Sequence, residues 1–270
     1  MEFEKLKIGI VGLGIIGEAC KYGFEKLGHD VFTHDTKFKD SYLKNVFDTD
    51  IVYICVPTPS NADGSCDTSI VESVINELIE NHYSGVIAIK STVKPTTTER
   101  LIKEHNNKMI CFIPEFLRER CAITDFIEKH DLLAIGSENS YVHDIVIKCH
   151  GSYPKHIKKL KPTEAELLKY YSNCFNALRV VFANEMYEVC KNVNADYTKI
   201  KNAFILRGTT TDMYLDVNES FRGYAGVCLP KDTAAMAAFV DELGIDMKLF
   251  ETLENENAKF KKTVFEGMRL

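Results

Sequence analysis

The stretch KIGIVGLGIIGEAC, residues 7–20, constrains the fold more than any other part of the chain. A run of β-branched residues gives way to glycines spaced GxGxxG and then, without a break, to a helical pattern. Strand, glycine-rich turn and helix in that order are the context in which the spacing carries meaning. Gly12 permits the tight turn, Gly14 lets a pyrophosphate approach the backbone, and Gly17 lets the helix pack closely on the strand. Ile15 and Ile16 complete the turn, where the first N–H groups of the helix face the phosphates. Asp35 ends the second strand, 18 residues beyond Gly17, where a carboxylate binds both hydroxyls of a ribose. A 2′-phosphate is repelled there, so the pattern predicts NAD over NADP, and the motif alone leaves FAD open.

Strand-like runs recur at KIGIV (7–11), DVFTH (30–34), DIVYICV (50–56), GVIAIKS (85–91), MICFI (109–113) and LLAIG (132–136). Helical patterns lie between several of them, clearest in SIVESVINELIENH (69–82). This alternation predicts an α/β fold opening with a Rossmann-type, doubly wound parallel sheet of buried strands. From Glu164 to Val193 an apolar pattern at helical spacing continues for about eight turns. It suits the spine of a second, all-helical domain, with further helices expected around 196–206, 231–243 and 247–266. The expected division is a NAD-binding domain over 1–160 and a helical domain over 161–270. KHIKKLK (155–161) reads as a solvated linker between them.

With 270 residues, 45% of them hydrophobic, the chain is long enough for two cores. A net charge of −6 excludes general affinity for nucleic acid or an acidic membrane face. The first apolar run is interrupted by glycines and followed by Glu18, with no small-residue cleavage site. It is read as neither a signal peptide nor a membrane span. Nine cysteines are scattered without CxxC pairs or His/Cys clusters. That predicts the reduced thiols of a cytoplasmic protein and no structural metal.

Ligands of open α/β sheets bind beyond the carboxyl ends of the strands. VPTP (56–59), KSTVKPTTTER (90–100) and IPEFLRER (113–120) are therefore expected around a nicotinamide. Val56, Pro57 and Thr58 open the first of these loops. Thr92 offers a hydroxyl in the second, or caps a helix. Glu115 and Glu119, four apart, share one side if their segment coils helically, and each taken singly also reads as surface charge.

Lys169 and Asn173 are one turn apart on the long helix, amid Leu167, Leu168, Tyr170 and Phe175. A partly buried lysine there can move a proton or stabilise an oxyanion. It can equally snorkel beside an asparagine that bonds a loop. Cys228 lies in GYAGVCLPKD (223–232), between small residues and a Pro-Lys-Asp turn. If Pro230 starts a helix, Asp232 falls in its first turn and the sulfur sits just ahead of the positive end of the dipole. A reactive thiolate and an inert packing residue both fit, and the open approach given by Gly223 and Gly226 favours the thiolate.

Four stretches together resemble one family, the UDP-glucose 6-dehydrogenase group of nucleotide-sugar dehydrogenases. They are GLGIIG with Asp35, CVPTP with KSTVKPTTTE, PEFLRE followed by EAELLKYYSNCFNA, and GYAGVCLPKD. The resemblance implies two successive NAD-dependent oxidations of a sugar's primary alcohol to a carboxylate, the kind of product used in polysaccharide biosynthesis. It implies Cys228 as a nucleophile passing through a thiohemiacetal and a thioester. Lys169 and Asp232 would manage the proton and the oxyanion, with Asn173 as a donor. Glu115 would support thioester hydrolysis, and Glu119 and Thr92 would serve the water network and the nicotinamide. Phe116, Leu117, Arg118, Lys169, Asn173, Tyr224 and Gly226 would contact substrate. A homodimer through the long helix is implied as well.

Three positions depart from the family pattern. Ile113 stands where an Asn usually precedes PEFL, and Ala225 and Val227 replace a glycine and a serine ahead of the cysteine. Family members also continue past the equivalent of Leu270 into a further domain that grips the nucleotide, so a short form is expected to show a raised KM. Two other readings stay open: a dehydrogenase of a smaller hydroxy compound, and a non-catalytic NAD-binding remnant.

Overall fold

Residues 4–260 are described by a computed structural model. They form two compact units: residues through Pro59 with Cys66–Lys169, and Ser60–Ser65 with the chain from Tyr170 onward. The division thus falls nine residues beyond the expected boundary at 160, inside a helix, and a short loop from the first half of the sequence joins the second unit.

The first unit runs β1 (Lys7–Val11), α1 (Ile15–Lys26), β2 (Asp30–His34), β3 (Ile51–Ile54), α2 (Ser69–Glu80), β4 (Val86–Ile89), α3 (Thr97–Glu104), β5 (Ile110–Phe112), α4 (Ala122–Ile127), β6 (Leu132–Gly136), α5 (Ser140–His150) and β7 (His156–Leu160). The strands make one sheet in the order β2-β1-β3-β4-β5-β6-β7. Alternate residues feed opposite faces. Ile8, Ile10, Tyr53 and Ala88 pack with Phe24 of α1, Phe126 of α4 and Val146 of α5. Val11, Val52, Ile54, Ile87 and Ile89 pack with Ile75 and Leu78 of α2 and Leu101 of α3. Helices on both faces make the sheet doubly wound. The strand order reverses direction between β1 and β3, so the crevice at their carboxyl ends is where such a fold takes a ligand.

Three features differ from the sequence expectation. β2 is half exposed because it is the edge strand beside β1. The lysine-rich 155–161 segment is no linker: His156–Leu160 forms β7, parallel to β6 in register Leu132↔His156 through Gly136↔Leu160. Its lysines hide it, since charged side chains are how an edge strand discourages further pairing. The sheet is also not wholly parallel, because β6 meets β5 antiparallel at Phe112↔Gly136, the terminal residues of both strands. A side chain at Gly136 would begin 2.8 Å from Ala165 Cβ and 3.1 Å from both Phe112 O and Pro162 Cα, so the next helix crosses directly over this junction.

That helix, α6 (Pro162–Asn192), has 31 residues and continues into the second unit. There it is joined by α7 (Tyr197–Ile205), α8 (Cys228–Glu242) and α9 (Leu249–Ala258). α7 starts on an Asp196 cap that accepts the Lys199 N–H at 3.1 Å. α8 starts at Cys228, three residues before the expected 231. α9 ends at Ala258, and residues 261–266 of the helix expected there lie outside the described residues. Ala177, Val181, Tyr224 and Leu253 form a core of this unit, with Leu178, Leu229 and Phe250 packed around it.

Candidate functional site

The glycine turn behaves as its spacing requires. Gly12 has φ +94°, and a Cβ there would stand 2.6 Å from the Cys55 carbonyl oxygen at the end of β3. A Cβ at Gly17 would fall 1.9 Å from the Gly12 carbonyl oxygen, so only hydrogen lets α1 sit on the turn. Gly14, the residue before α1, faces nothing within 4 Å of such an atom. Two glycines are demanded by the fold itself; the third leaves open space at a helix N-terminus, as close approach of a pyrophosphate needs. Ile15 is exposed beside it, and Ile16 turns partly into the core.

Asp35 is tied to this turn. Its Oδ2 accepts the Leu13 N–H at 2.6 Å and its Oδ1 the Lys37 N–H at 2.8 Å. Burial works against its charge, but these bonds prevail, holding the carboxyl below its usual range. Each oxygen retains a lone pair for a ribose hydroxyl. Lys37, which the sequence reading passed over, donates to the Leu13 carbonyl at 2.7 Å and stands 3.4 Å from Asp35. A cleft of about 480 Å³ opens between Leu13, Gly14, Ile15 and Glu18 on one side and Glu119 to Thr124 on the other. Among the predicted residues, Glu119 is thus brought to the glycine turn. The open Gly14, the ionised Asp35 and this cleft fit a dinucleotide.

Val56 and Thr58 are buried and Pro57 is exposed in the loop after β3, where Ser91 Oγ donates to the Val56 carbonyl at 2.7 Å. Thr92 is half-buried after β4, its carbonyl facing Cys66 Sγ at 3.4 Å. It does not cap a helix, because Thr96 precedes α3. Glu115 and Glu119 do not share a helical side either: residues 114–118 are irregular, and Glu119 opens a 3-10 turn (Glu119–Cys121). Pro114 disfavours the helical conformation at Ile113 and supplies no N–H. Ile113 itself is a fully buried core residue, which accounts for an apolar side chain there.

Glu115 is buried, and Lys90 Nζ lies 2.8 Å from its Oε2. Its Oε1 accepts the Leu117 N–H at 2.6 Å. Burial raises the carboxyl pKa, but the Lys90 charge and the Leu117 bond overcome it, and the group stays below the usual range. Lys169, buried on the second turn of α6, donates to the Glu115 carbonyl and lies 5.9 Å over the Phe116 ring. Leu117 packs on the core, and Arg118 is exposed and bound to Asp125 at 2.6 Å. Lys169, Glu115 and Phe116 are therefore brought together; Arg118 is committed elsewhere.

The remaining residues lie in the second unit. Asn173 Nδ2 donates to Asp232 Oδ2 at 2.6 Å, and both are buried, Asp232 to 1% exposure. Lys231 Nζ stands 3.1 Å from Asp232 Oδ1. Cys228 is the first residue of α8 and is exposed, whereas Cys20, Cys111, Cys149, Cys174 and Cys190 are buried and no cysteine is in a disulfide. Burial pushes the Cys149 and Cys174 thiols up to about 12. Tyr224 is turned inward: it is 3% exposed and its hydroxyl donates to Glu254 at 2.5 Å, so its side chain offers nothing to substrate. Gly226 takes φ +89° two residues before the cysteine.

Sequence reasoning missed Lys90, and also Glu166. Glu166 is fully buried and accepts the N–H groups of Thr96 and Thr98 at 2.7 and 2.8 Å. A lysine at a strand end has no signature of its own. Glu166 carried one weak signal, an acid on the apolar side of a helix.

Comparison with known proteins gives the family. Residues 33–152 match the NAD binding domain, and residues 163–259 the central domain, of the UDP-glucose/GDP-mannose dehydrogenase family. The UDP-glucose 6-dehydrogenase of Rickettsia bellii is 32% identical over 245 residues, covering 88% of this chain and 55% of its own length. That of Haloferax volcanii is 26% identical over 304 residues, covering 93% and 69%. The solved UDP-glucose dehydrogenase of Pyrobaculum islandicum superposes with a TM-score of 0.86 at 28% identity, over 95% of this chain and 69% of its own. This chain therefore spans about half to two thirds of the length of these relatives. With both domains matched in sequence order, the chain belongs to the UDP-glucose/GDP-mannose dehydrogenase family and takes NAD as its cofactor.

Proposed function

We propose that the chain oxidises the primary alcohol of a nucleotide-linked sugar of the UDP-glucose type to the carboxylate, through a covalent adduct on Cys228. The observation that carries this is the placement of Cys228: an exposed thiol at the first residue of a 15-residue helix. The positive dipole end of that helix favours the thiolate. When bound, NAD supplies the hydride acceptor for both oxidations. The Cys228 thiolate adds to the aldehyde carbon, and the carbonyl electron pair becomes an alkoxide that takes a proton, giving a thiohemiacetal. That adduct keeps the C–H bond the second oxidation removes, leaving a thioester on Sγ. Water adds to the thioester carbonyl, the C–S bond breaks, and the thiolate returns.

Lys169 is the proton-handling cation of this scheme. Asn173 and Asp232 fix each other so that the amide and carboxylate keep one orientation. Glu115, held ionised by Lys90, acts through its charge on the attacking water and is a weak proton acceptor. The domain division proposed is a NAD-binding part followed by a helical part carrying Asn173, Cys228 and Asp232. Tyr171, Phe175, Phe182 and Val189 form an exposed apolar stripe on α6, 48–74% accessible, which supports a homodimer through that helix. A nucleophilic thiol and nine cysteines outside any disulfide suit the reducing cytoplasm.

Incubation with UDP-glucose and NAD should give two NADH per sugar. Cys228→Ser should bind NAD as the parent does yet release no uronic acid. Uronic acid formed at the parental rate by that variant would remove the thiol from the chemistry. Turnover only of small hydroxy compounds would replace the sugar.

A further inference from the structure

We propose that Lys90 is a positioning residue of this reaction: it fixes the Glu115 carboxylate and, through the main chain of Glu115, the ammonium of Lys169. The proposal rests on the role given above to Lys169.

Lys90 follows β4 directly and is 5% exposed; Glu115 is 8% exposed. For stability alone such a pair is a poor choice. Removing two charges from water costs about as much as their attraction returns, and an apolar pair of similar size does as well. What the pair achieves is local order. Glu115 lies in the irregular stretch between β5 and the 3-10 turn at Glu119–Cys121, where no strand or helix fixes the backbone. Ile113 N–H bonds the Ile89 carbonyl at 2.8 Å, so the stretch starts beside Lys90. From there the carboxylate closes a small ring on the Leu117 N–H at 2.6 Å, and Lys90 holds its other oxygen at 2.8 Å. That ring sets the direction of the Glu115 carbonyl, to which Lys169 Nζ donates. Lys90, the Glu115 side chain, the Glu115 carbonyl and Lys169 make one chain of contacts.

Among the described residues, none of the other titratable groups acting on Glu115 replaces Lys90. Lys169 of α6 adds to the field at the carboxylate, but its ammonium is bonded to the carbonyl. Cys20 of α1 is fully buried, and burial drives its thiol well up, so it is neutral. His130, ahead of β6, is pushed down to about 4 by burial and then by Lys90, and is neutral at pH 7. The cation on the carboxylate is therefore Lys90.

The test uses the full chain, with the Glu115 carboxyl titrated by carbon NMR and assigned with Glu115→Gln. In the parent it should titrate below the ordinary glutamate range; in Lys90→Met its midpoint should rise by about one to three pH units. An unchanged midpoint overturns the proposal, and this readout needs no turnover, so it separates the proposal from failure of the assigned activity. With turnover, Lys90→Met should lower kcat about tenfold or more, with the KM for NAD changed less than about twofold, and Lys90→Arg should restore part of the loss. If Lys90→Met does not fold, the neutral pair Lys90→Met with Glu115→Gln serves instead. Because Lys90 acts through Glu115, this double variant should match Glu115→Gln alone in kcat. A further tenfold loss in that background would show Lys90 acting by another route and would refute the proposal.

Discussion

Replacing Gly14 by alanine separates what the glycine turn does for folding from what it does for the cofactor. The residue sits at φ −80°, ψ −167°, a conformation alanine adopts freely, and its Cβ would meet no atom within 4 Å. Reduced freedom of the unfolded chain favours alanine by about 0.4–1 kcal/mol. Loss of a tolerated residue at the helix cap opposes it by a similar amount, so the cofactor-free stability should change by less than about 1 kcal/mol. The new methyl fills the space left for the pyrophosphate and removes one charge-assisted backbone bond, about 1.5–3 kcal/mol, or roughly 10- to 150-fold in affinity. At NAD one hundred times the parental Kd, ligand stabilisation is about 2.7 kcal/mol; a 30-fold weaker variant keeps about 0.9 kcal/mol at the same concentration. Denaturant unfolding with and without NAD, checked by calorimetric titration, reads both quantities. Unaltered NAD affinity in Gly14→Ala would refute the assignment of this space to the cofactor.

Gly17→Ala should do the reverse of Gly14→Ala, abolishing the folded first unit in circular dichroism, because its Cβ would lie 1.9 Å from a backbone oxygen. Glu166, raised to about 7 mainly by burial, holds its proton in the folded state after the unfolded chain has lost it. Its contribution is fully present below about pH 4.5 and fades up to pH 7, by at most about 3 kcal/mol. Unfolding midpoints of Glu166→Gln should lack that slope between pH 4.5 and 7. Asn257, with no exposed surface, accepts the Tyr224 N–H at 2.8 Å and donates to its carbonyl at 2.9 Å. Asn257→Ala should cost the second unit about 2–4 kcal/mol in urea unfolding.

Legibility in the sequence followed how local each constraint is. β1, the glycine turn and Asp35 were readable because strand, turn, helix and acid follow one another in chain order and Gly17 meets Gly12 five residues back, although the contact of Gly12 with Cys55 is distant in sequence. α2 and α6 announce themselves by periodicity. β7 was not readable, since a lysine-covered edge strand and a solvated linker have the same composition. The start of α8 was hidden as well: Val227 precedes it in a helical conformation with no side-chain cap. Cys228, Lys169, Asn173 and Asp232 stood out as candidates by residue type and spacing, and their roles came only from the family resemblance. The partners could not be named, because Lys90 meets Glu115, and Glu166 meets Thr96 and Thr98, only after distant segments fold together. The helical pairing expected of Glu115 and Glu119 did not form, because Glu115 is drawn to Lys90 and to the Leu117 N–H while residues 114–118 stay irregular.

The single-residue meeting of β5 and β6 has a consequence for how the molecule tolerates change. Pro162 and Ala165 cross over Gly136 at near-contact distance, and within the next turn of α6 Glu166 takes hold of the start of α3 and Lys169 of the stretch after β5. One absent methyl group seats the root of the helix, and two distant grips inherit their aim from it. A bulkier residue at 136 would therefore misalign both grips in concert while touching neither, and the damage would register as lost chemistry from a position that carries none.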